Sequence, residues 1–248
     1  MRRTLHDIKR DQNIPLMQCQ NAAKLSQAAV DEAQILVSWN SGFPEELFAL
    51  PYARIIHLIR DPRDVLLSGM RYHRIAPLGR EKFLAKAAPG TGRLNYQEHL
   101  NALPDDHHRL IFEMENKHHK TISEMARWTY GRTRVVELKY EDLIEDHDCA
   151  VFRDILEKFD IAGLDINRAI QSYWRNSLFG GVKIGDKDIG AQHGKHLASG
   201  KKRQWESHMP RGIAEIYAER YGDTLRQLGY EENSDWVDSC RAETDLTS

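Results

Sequence analysis

The chain has 248 residues, of which 41% are hydrophobic and 29% charged, a composition typical of a globular protein and not of a disordered one. The net charge of −2 provides no overall field that favours nucleic acid, so any anion-binding site has to be local. No apolar run approaches the roughly 18 residues needed to cross a bilayer, and three widely spaced cysteines fit a reducing compartment, so we expect a cytoplasmic protein.

The first predicted elements are two strands followed by a helix. Residues 33–39 (AQILVSW) and 53–60 (ARIIHLIR) are short β-branched runs bounded by polar or turn residues, which indicates strands. Asp61 and Pro62 come next, an N-cap acceptor followed by the residue favoured at the first helical position. A helix is therefore predicted to begin directly after the second strand.

The middle of the chain predicts a helix, a strand and another helix. Apolar residues recur at helical spacing through residues 107–130. Residues 133–140 (TRVVELKY) form a third β-branched run, and an apolar helical stripe beginning at Val151 runs over residues 151–159. Because the strands are almost continuously apolar and helices separate them, the pattern predicts an α/β fold of three layers with a central parallel sheet.

The remaining segments are two glycine-rich stretches, a last helix and a tail. Residues 77–93 and 180–200 are rich in glycine, which is typical of loops that become ordered when a ligand binds. An apolar stripe over residues 213–228 predicts a helix, and the polar residues 231–248 are expected to fray. The sequence thus predicts one domain over residues 1–230 and a polar tail.

The junction after the second strand is a candidate anion site. Arg60 ends that strand, and ligands of open parallel sheets lie beyond the carboxyl ends of the strands, where the next helix points its free N–H groups. Ser68 lies about two turns into the helix, on the same face as Asp64. An arginine fork and a serine hydroxyl both suit phosphate oxygens. The alternative is that Arg60 simply pairs with Asp61 or Asp64.

The same segment carries a family resemblance. RDPRDVLLS (60–68) resembles the second cofactor motif of sulfotransferases that use 3′-phosphoadenosine 5′-phosphosulfate, PAPS. In that family the first arginine and the serine eight residues later hold the 3′-phosphate, which implies this role for Arg60 and Ser68. The resemblance extends over roughly residues 33–228.

Two further motifs follow in the same order. LKYEDLIED (138–146) resembles the strand-end motif whose tyrosine lies against the adenine, which here implies Tyr140. NSLF (176–179) resembles a segment whose aromatic residue also packs on the base, which here implies Phe179.

The last motif is the basic segment SGKKRQW (199–205), which resembles the late loop that closes over the 3′-phosphate. Gly200 lets backbone N–H groups approach an anion. Three positive charges follow it: Lys201, Lys202 and Arg203. A solvated basic turn is the alternative, and Trp205, five residues after the glycine, favours the loop. The Arg-Lys pair that often precedes this glycine in the family is replaced here by alanine and serine.

The resemblance implies the fold of P-loop nucleotide hydrolases and sulfuryl transfer from PAPS to a hydroxyl or amine by in-line displacement. It also implies a first loop of the type PKSGTTW, which residues 1–32 lack, so the fold is expected to be N-terminally incomplete. The histidine base of many relatives aligns with Trp39 or Asn40, neither of which accepts a proton near neutral pH. The sequence therefore identifies no catalytic residue.

Other histidines offer only weak candidates for a base. His57 lies in the middle of a predicted strand and is expected in the core, while His193 and His196 fall in the second glycine-rich stretch. Two explanations for the missing loop stay open. Either the natural first strand and loop lie upstream of Met1, which the short distance to Trp39 favours, or the chain binds nucleotide and has lost the chemistry.

The histidine-rich stretches 105–110 and 115–120 raise the question of a metal. Adjacent histidine pairs on a helix point apart, so a solvated helix face and no metal are predicted. The expected partner is a small-molecule or glycan acceptor, with neither nucleic acid nor a membrane, and it would be selected by loops such as 72–105 and 180–198.

Overall fold

The computed structural model describes residues 1–19, 35–38, 43, 45–51, 53–79, 81–87, 90, 92–181 and 201–242. The chain divides into two compact units, Met1–Ile59 with Trp128–Asp186 and Arg60–Arg127 with Lys187–Ser248. The expected extent of one domain over residues 1–230 stays a prediction. Within the described ranges, no helix combines the length and the apolar character that a membrane span requires.

All described strands belong to the first unit and pair in parallel. They are β1 (Leu16–Cys19), β2 (Ile35–Ser38), β3 (Ile55–Ile59) and β4 (Val135–Lys139). β1 pairs with β2, with Leu16 opposite Ile35, and β3 pairs with β4, with Ile55 opposite Val135. The three predicted strands are confirmed within their ranges. β1 was not predicted because its four residues, LMQC, include no β-branched residue.

The parallel pairing and the alternation with helices make this an α/β protein. The described strands form two separate two-stranded sheets, β1–β2 and β3–β4, so the single central sheet predicted from the sequence is not confirmed. β2 is half-buried along its whole length, whereas β3 buries His57 and Ile59 and leaves Leu58 exposed. The described residues therefore contain two small parallel sheets and the helices between their strands.

The α-helices of the described residues are, in chain order, α1 (Arg2–Gln12), α2 (Glu45–Ala49), α3 (Pro62–His73), α4 (Tyr96–Ala102), α5 (Asp106–Glu113), α6 (His119–Arg127), α7 (Tyr140–Leu143), α8 (Ala150–Phe159), α9 (Ile166–Arg175), α10 (Gln204–His208) and α11 (Arg211–Gln227). A π-helical segment, Met114–His118, joins α5 to α6, and a 3₁₀ helix covers Asp235–Ser239.

Three helices of the first unit pack on one apolar cluster. Buried side chains from α1, α8 and α9 meet there, including Ile8, Phe152 and Ala169. The predicted helix over 151–159 is confirmed as α8. Val151, taken as part of its apolar stripe, is instead exposed, because the buried face of α8 is made by the later residues Phe152, Ile155 and Leu156.

The second unit has its own core, formed by α3, the helical run from α5 to α6, and α11. Leu66, Leu110, Ile213 and Tyr217 are all fully buried within it. The single helix predicted over 107–130 is confirmed as helical from Asp106 to Arg127, with a π-helical segment in its middle. Such segments insert extra residues into a turn and occur often at functional or strained positions.

Within the polar tail 231–248, residues 234–241 are ordered, so the expectation of fraying is wrong for them. Trp236 and Val237 are buried in the core of the second unit, and Trp236 packs edge-on against Trp205 at 5.4 Å. Backbone hydrogen bonds hold the end of this segment, with Arg211 N donating to Arg241 O and Arg241 N donating to Met209 O. Three buried side chains, Trp236, Val237 and Cys240, together with these backbone hydrogen bonds, dock a mostly polar stretch.

Candidate functional site

The start of α3 has the local structure that the sequence predicts. The Asp61 side chain accepts a hydrogen bond of 2.9 Å from Arg63 N, and Pro62 occupies the first helical position. This arrangement caps the helix and leaves Arg60 as the last residue before it. Arg60 is partly buried, with 23% of its side chain exposed.

Arg60 contacts Asp64, one of the two carboxylates that the sequence offered as its partner, and it also contacts the basic segment. One guanidinium nitrogen, Nη2, lies 3.4 Å from the carbonyl oxygen of Lys201 and 3.6 Å from a carboxylate oxygen of Asp64. The ion-pair alternative is thus present, since the fully buried Asp64 holds the guanidinium. The contact with Lys201 also places Arg60 beside the basic segment.

The described part of the basic segment, residues 201–205, lies across one face of α3. Trp205 N donates to Asp64 Oδ1 at 3.1 Å, and Arg71 Nη1 lies 3.4 Å from Gln204 Oε1. Asp64, Ser68 and Arg71 are spaced as i, i+4 and i+7, so they share a helix face. Since the segment contacts the positions on both sides of Ser68, the half-buried serine lies on the face that the basic segment crosses.

The three basic residues of the segment differ in their surroundings. Lys201, Lys202 and Arg203 are all exposed, while Gly200 lies outside the described residues. Arg203 adopts a left-handed backbone conformation, φ 54°, and its guanidinium pairs with Glu206 in the next turn. The charge of Arg203 is therefore offset locally by a carboxylate.

The family model described as "Sulfotransferase domain" matches residues 13–229, which is most of the chain. The chain belongs to the sulfotransferase family. No curated protein and no solved structure gives a significant match.

Sulfotransferases generally take the sulfuryl group from PAPS, so the positions implied by the resemblance can be located in this sulfotransferase domain. Tyr140 is the first residue of α7 and directly follows β4; it is half-buried. Phe179 is also half-buried and packs against His147 and Tyr173, with ring centroids 5.3 and 5.8 Å apart. A Cβ on Gly180 would collide with the Trp174 carbonyl oxygen, so glycine is required in the turn beside Phe179.

The domain also contains a buried cluster that the sequence did not reveal. Arg63 is only 1% exposed, and its guanidinium lies 3.8 Å from the Trp205 ring centre and 4.6 Å from that of Trp236. Two carboxylates pair with it, Asp61 at 2.8 Å and Glu231 at 2.6 Å. Burial lowers the pKa of Arg63, but these two carboxylates outweigh that effect and hold it above its ordinary value.

Asp61 links this cluster to the basic segment. Its carboxylate accepts hydrogen bonds from Arg63 Nε and Nη2 and from the indole nitrogen of Trp205 at 3.1 Å. We name Asp61, Arg63, Trp205, Glu231 and Trp236 the Arg63 cluster. The sequence carries a signal only for the docking of the tail, the large apolar pair Trp236 and Val237 in a polar stretch, and none for the burial of Arg63.

Of the histidines that the sequence offered as weak candidates for a base, the described residues include His57. His57 is buried, as predicted, stacked on Trp128 at 3.9 Å and bound through Nδ1 to Glu137 at 2.7 Å. Burial is the main cause of its lowered pKa. The two other histidine candidates, His193 and His196, lie outside the described residues, as do Trp39 and Asn40, which align with the histidine base of relatives.

The histidine-rich stretches do not gather into a metal site in the described part of the chain, where no three metal-ligating side chains come together. The predicted solvated face is only partly correct. His108 and His119 are exposed, but His118 is buried and bonds through Nε2 to the Tyr217 hydroxyl at 2.8 Å. It lies on the apolar face of the helical run, which is why it is removed from solvent.

Proposed function

We propose that this sulfotransferase domain binds PAPS and transfers its sulfuryl group to a hydroxyl or amine of a small-molecule or glycan acceptor. One observation carries the proposal: Arg60 contacts the backbone of Lys201, while the segment 201–205 crosses the helix face that bears Ser68. Residues far apart in the sequence, and matched to one phosphate-binding role, therefore lie together in one unit.

The chemistry of these residues fits a phosphate group. Arg60 has five N–H donors in a planar fork, and Ser68 adds a neutral hydroxyl. Lys201 and Lys202 bring exposed ammonium groups on the same segment. The buried Asp64 reduces the net positive charge, but it also fixes the direction of the Arg60 guanidinium, which favours binding of a phosphate in one orientation.

PAPS, when bound, supplies the activated sulfuryl group for in-line displacement by the acceptor. In this proposal Arg60, Ser68, Lys201 and Lys202 hold the 3′-phosphate of the donor. Arg203 has a smaller part because Glu206 pairs with it. Gly200 would contribute backbone N–H groups, and the resemblance assigns the adenine to Tyr140 and Phe179.

We also propose a more specific fold for this domain. Sulfotransferases of this type are expected to have the three-layer fold of P-loop nucleotide hydrolases, with one central parallel sheet. The two parallel strand pairs described here are compatible with parts of such a sheet.

A second candidate function is nucleotide binding without transfer. It is supported by the residues that align with the histidine base of many relatives, Trp39 or Asn40, neither of which accepts a proton near neutral pH. This candidate predicts binding of the 3′-phosphoadenosine moiety and no turnover with any acceptor.

Isothermal titration calorimetry with adenosine 3′,5′-bisphosphate tests the binding step. Arg60→Met removes a charge-assisted contact to phosphate, so the dissociation constant is expected to rise about 10- to 100-fold. The matched control is Arg226→Met, because Arg226 is an exposed helix arginine that pairs with Asp223, and its loss should leave the affinity unchanged. Absence of binding to the natural chain at millimolar ligand would refute the proposal.

Transfer is tested separately with radiolabelled PAPS and a panel of phenol, alcohol, amine and sugar acceptors. Label in any acceptor product supports the enzyme and eliminates the binding-only candidate. Tight bisphosphate binding with no labelled product across the panel supports the binding-only candidate instead.

A further inference from the structure

The Arg63 cluster joins the C-terminal segment to the proposed phosphate site. Glu231 and Trp236 lie beyond residue 229, where the match to the sulfotransferase family ends. Both nevertheless contact Arg63, which is buried at the beginning of α3. A part of the chain outside the matched region thus reaches the helix that carries Ser68.

The contacts form a continuous path. Glu231 and Trp236 hold the Arg63 guanidinium from two directions, by an ion pair of 2.6 Å and by ring contact. Arg63 in turn orients the Asp61 carboxylate with two hydrogen bonds. Asp61 then accepts the indole N–H of Trp205, the last residue of the basic segment.

Trp205 is fixed by both ends of this arrangement. Its indole bonds to Asp61, its ring lies against Arg63, and its backbone N–H bonds to Asp64, which also pairs with Arg60. A shift of Trp205 would therefore move the segment that begins at Lys201, whose carbonyl contacts Arg60.

We propose that the C-terminal segment 231–239 is a positioning device: through Glu231 and Trp236 it holds Arg63, and thereby fixes the basic segment 201–205 beside Arg60 for phosphate binding. The part of this inference that concerns phosphate binding rests on the proposed function. Its structural part, the ordering of residues 201–205, does not depend on any ligand.

The pair Glu231→Gln and Glu232→Gln tests this directly. Each variant removes one negative charge from the same segment, but only Glu231 contacts Arg63; Glu232 is exposed. Glu231→Gln is expected to raise the dissociation constant for adenosine 3′,5′-bisphosphate about 3- to 10-fold, the range of coupling through a packed network. Glu232→Gln is expected to match the natural chain.

Hydrogen exchange of the backbone amides provides a readout that needs no ligand. Faster exchange over residues 201–208 in Glu231→Gln, but not in Glu232→Gln, is expected if the cluster orders the basic segment. Trp236→Phe keeps a ring against Arg63 and should retain more of the binding than Trp236→Leu, which removes the ring.

The outcomes separate the two proposals. Equal affinity and equal exchange in both glutamate variants would overturn the positioning role, as would faster exchange with unchanged affinity. If the natural chain binds no bisphosphate, the proposed function fails, and the exchange comparison still decides whether the segment 231–239 orders residues 201–205.

Discussion

At the scale of single residues, burial of charged and polar groups is the feature that the sequence least reveals. The sequence indicates Arg60 and Ser68 because RDPRDVLLS resembles a sulfotransferase motif, whereas Arg63 is one of 35 lysines and arginines. Its burial depends on Trp205, Glu231 and Trp236, all more than 140 residues away. Long-range partners of this kind leave no local pattern, so only coordinates bring them to light.

His118 allows a prediction about pH at the residue scale. Burial lowers the pKa of His118 to about 3, with a smaller contribution from the neighbouring His119. A histidine in the unfolded chain has a pKa of about 6.5. Below that pH the unfolded chain binds a proton at His118, whereas the folded chain does not. The stability of the fold is therefore expected to decrease as the pH falls from about 6.5 towards 3, by up to about 1.4 kcal/mol per pH unit for this one group.

The measurement compares urea unfolding of the natural chain and of His118→Gln at pH 7.5, 6.0 and 5.0. Glutamine does not titrate and still offers polar atoms to the Tyr217 hydroxyl. The variant is expected to be less stable at pH 7.5 but to lose less stability between pH 6.0 and 5.0 than the natural chain. Parallel pH curves for the two proteins would show that His118 is not held neutral by the fold.

At the scale of elements, regular patterns were predictable and docking was not. The strands β2, β3 and β4 and the helix α3 follow from β-branched runs and from the Asp-Pro cap. β1 was missed because it is short and lacks β-branched residues. The order in residues 234–241 was missed because three buried residues, Trp236, Val237 and Cys240, dock the segment, while its polar majority suggests the opposite.

The docked 3₁₀ helix gives the prediction at this scale. Trp236 is 5% exposed and Trp174, on α9, is 48% exposed. Trp236→Ala is expected to destabilise the protein by about 3–5 kcal/mol, because it leaves a cavity in the core. Trp174→Ala makes the same chemical change at the surface and is expected to cost less than about 1 kcal/mol.

The two tryptophan variants are compared by urea unfolding at pH 7.5, with helix content followed by circular dichroism. Equal losses in the two would mean that the segment 235–239 contributes no more to stability than an exposed side chain. The large loss is expected only if the start of the tail belongs to the fold in solution.

At the scale of the whole molecule, the class of the fold and the family were predictable, while the arrangement of strands was not. Parallel pairing follows from apolar strands separated by helices. The division of four strands into two pairs depends on contacts between them that no local pattern encodes. For the site, the sequence indicated Arg60, Ser68 and the basic segment, and their proximity emerges only from the contacts of Lys201 and Trp205.

Stabilisation of the whole molecule by adenosine 3′,5′-bisphosphate provides a further test of the phosphate site. Because the chain carries a net charge of −2, it has no general attraction for a nucleotide bisphosphate, so stabilisation by this ligand reports a local site. A ligand that binds only the folded state at 100 times its dissociation constant stabilises it by about 2.7 kcal/mol. For a protein of this size, that corresponds to an increase of about 5 to 10 °C in the melting temperature.

The matched ligand is adenosine 5′-monophosphate, which differs from adenosine 3′,5′-bisphosphate only by the 3′-phosphate. If Arg60 and Ser68 hold that group, the bisphosphate raises the melting temperature clearly more than the monophosphate at equal concentration, and Arg60→Met removes most of the difference. Inorganic phosphate at the same concentration controls for general salt effects. Equal shifts with the two nucleotides would mean that binding depends on the adenosine and 5′-phosphate alone. The Arg60 guanidinium would then contribute nothing to recognition of the 3′-phosphate.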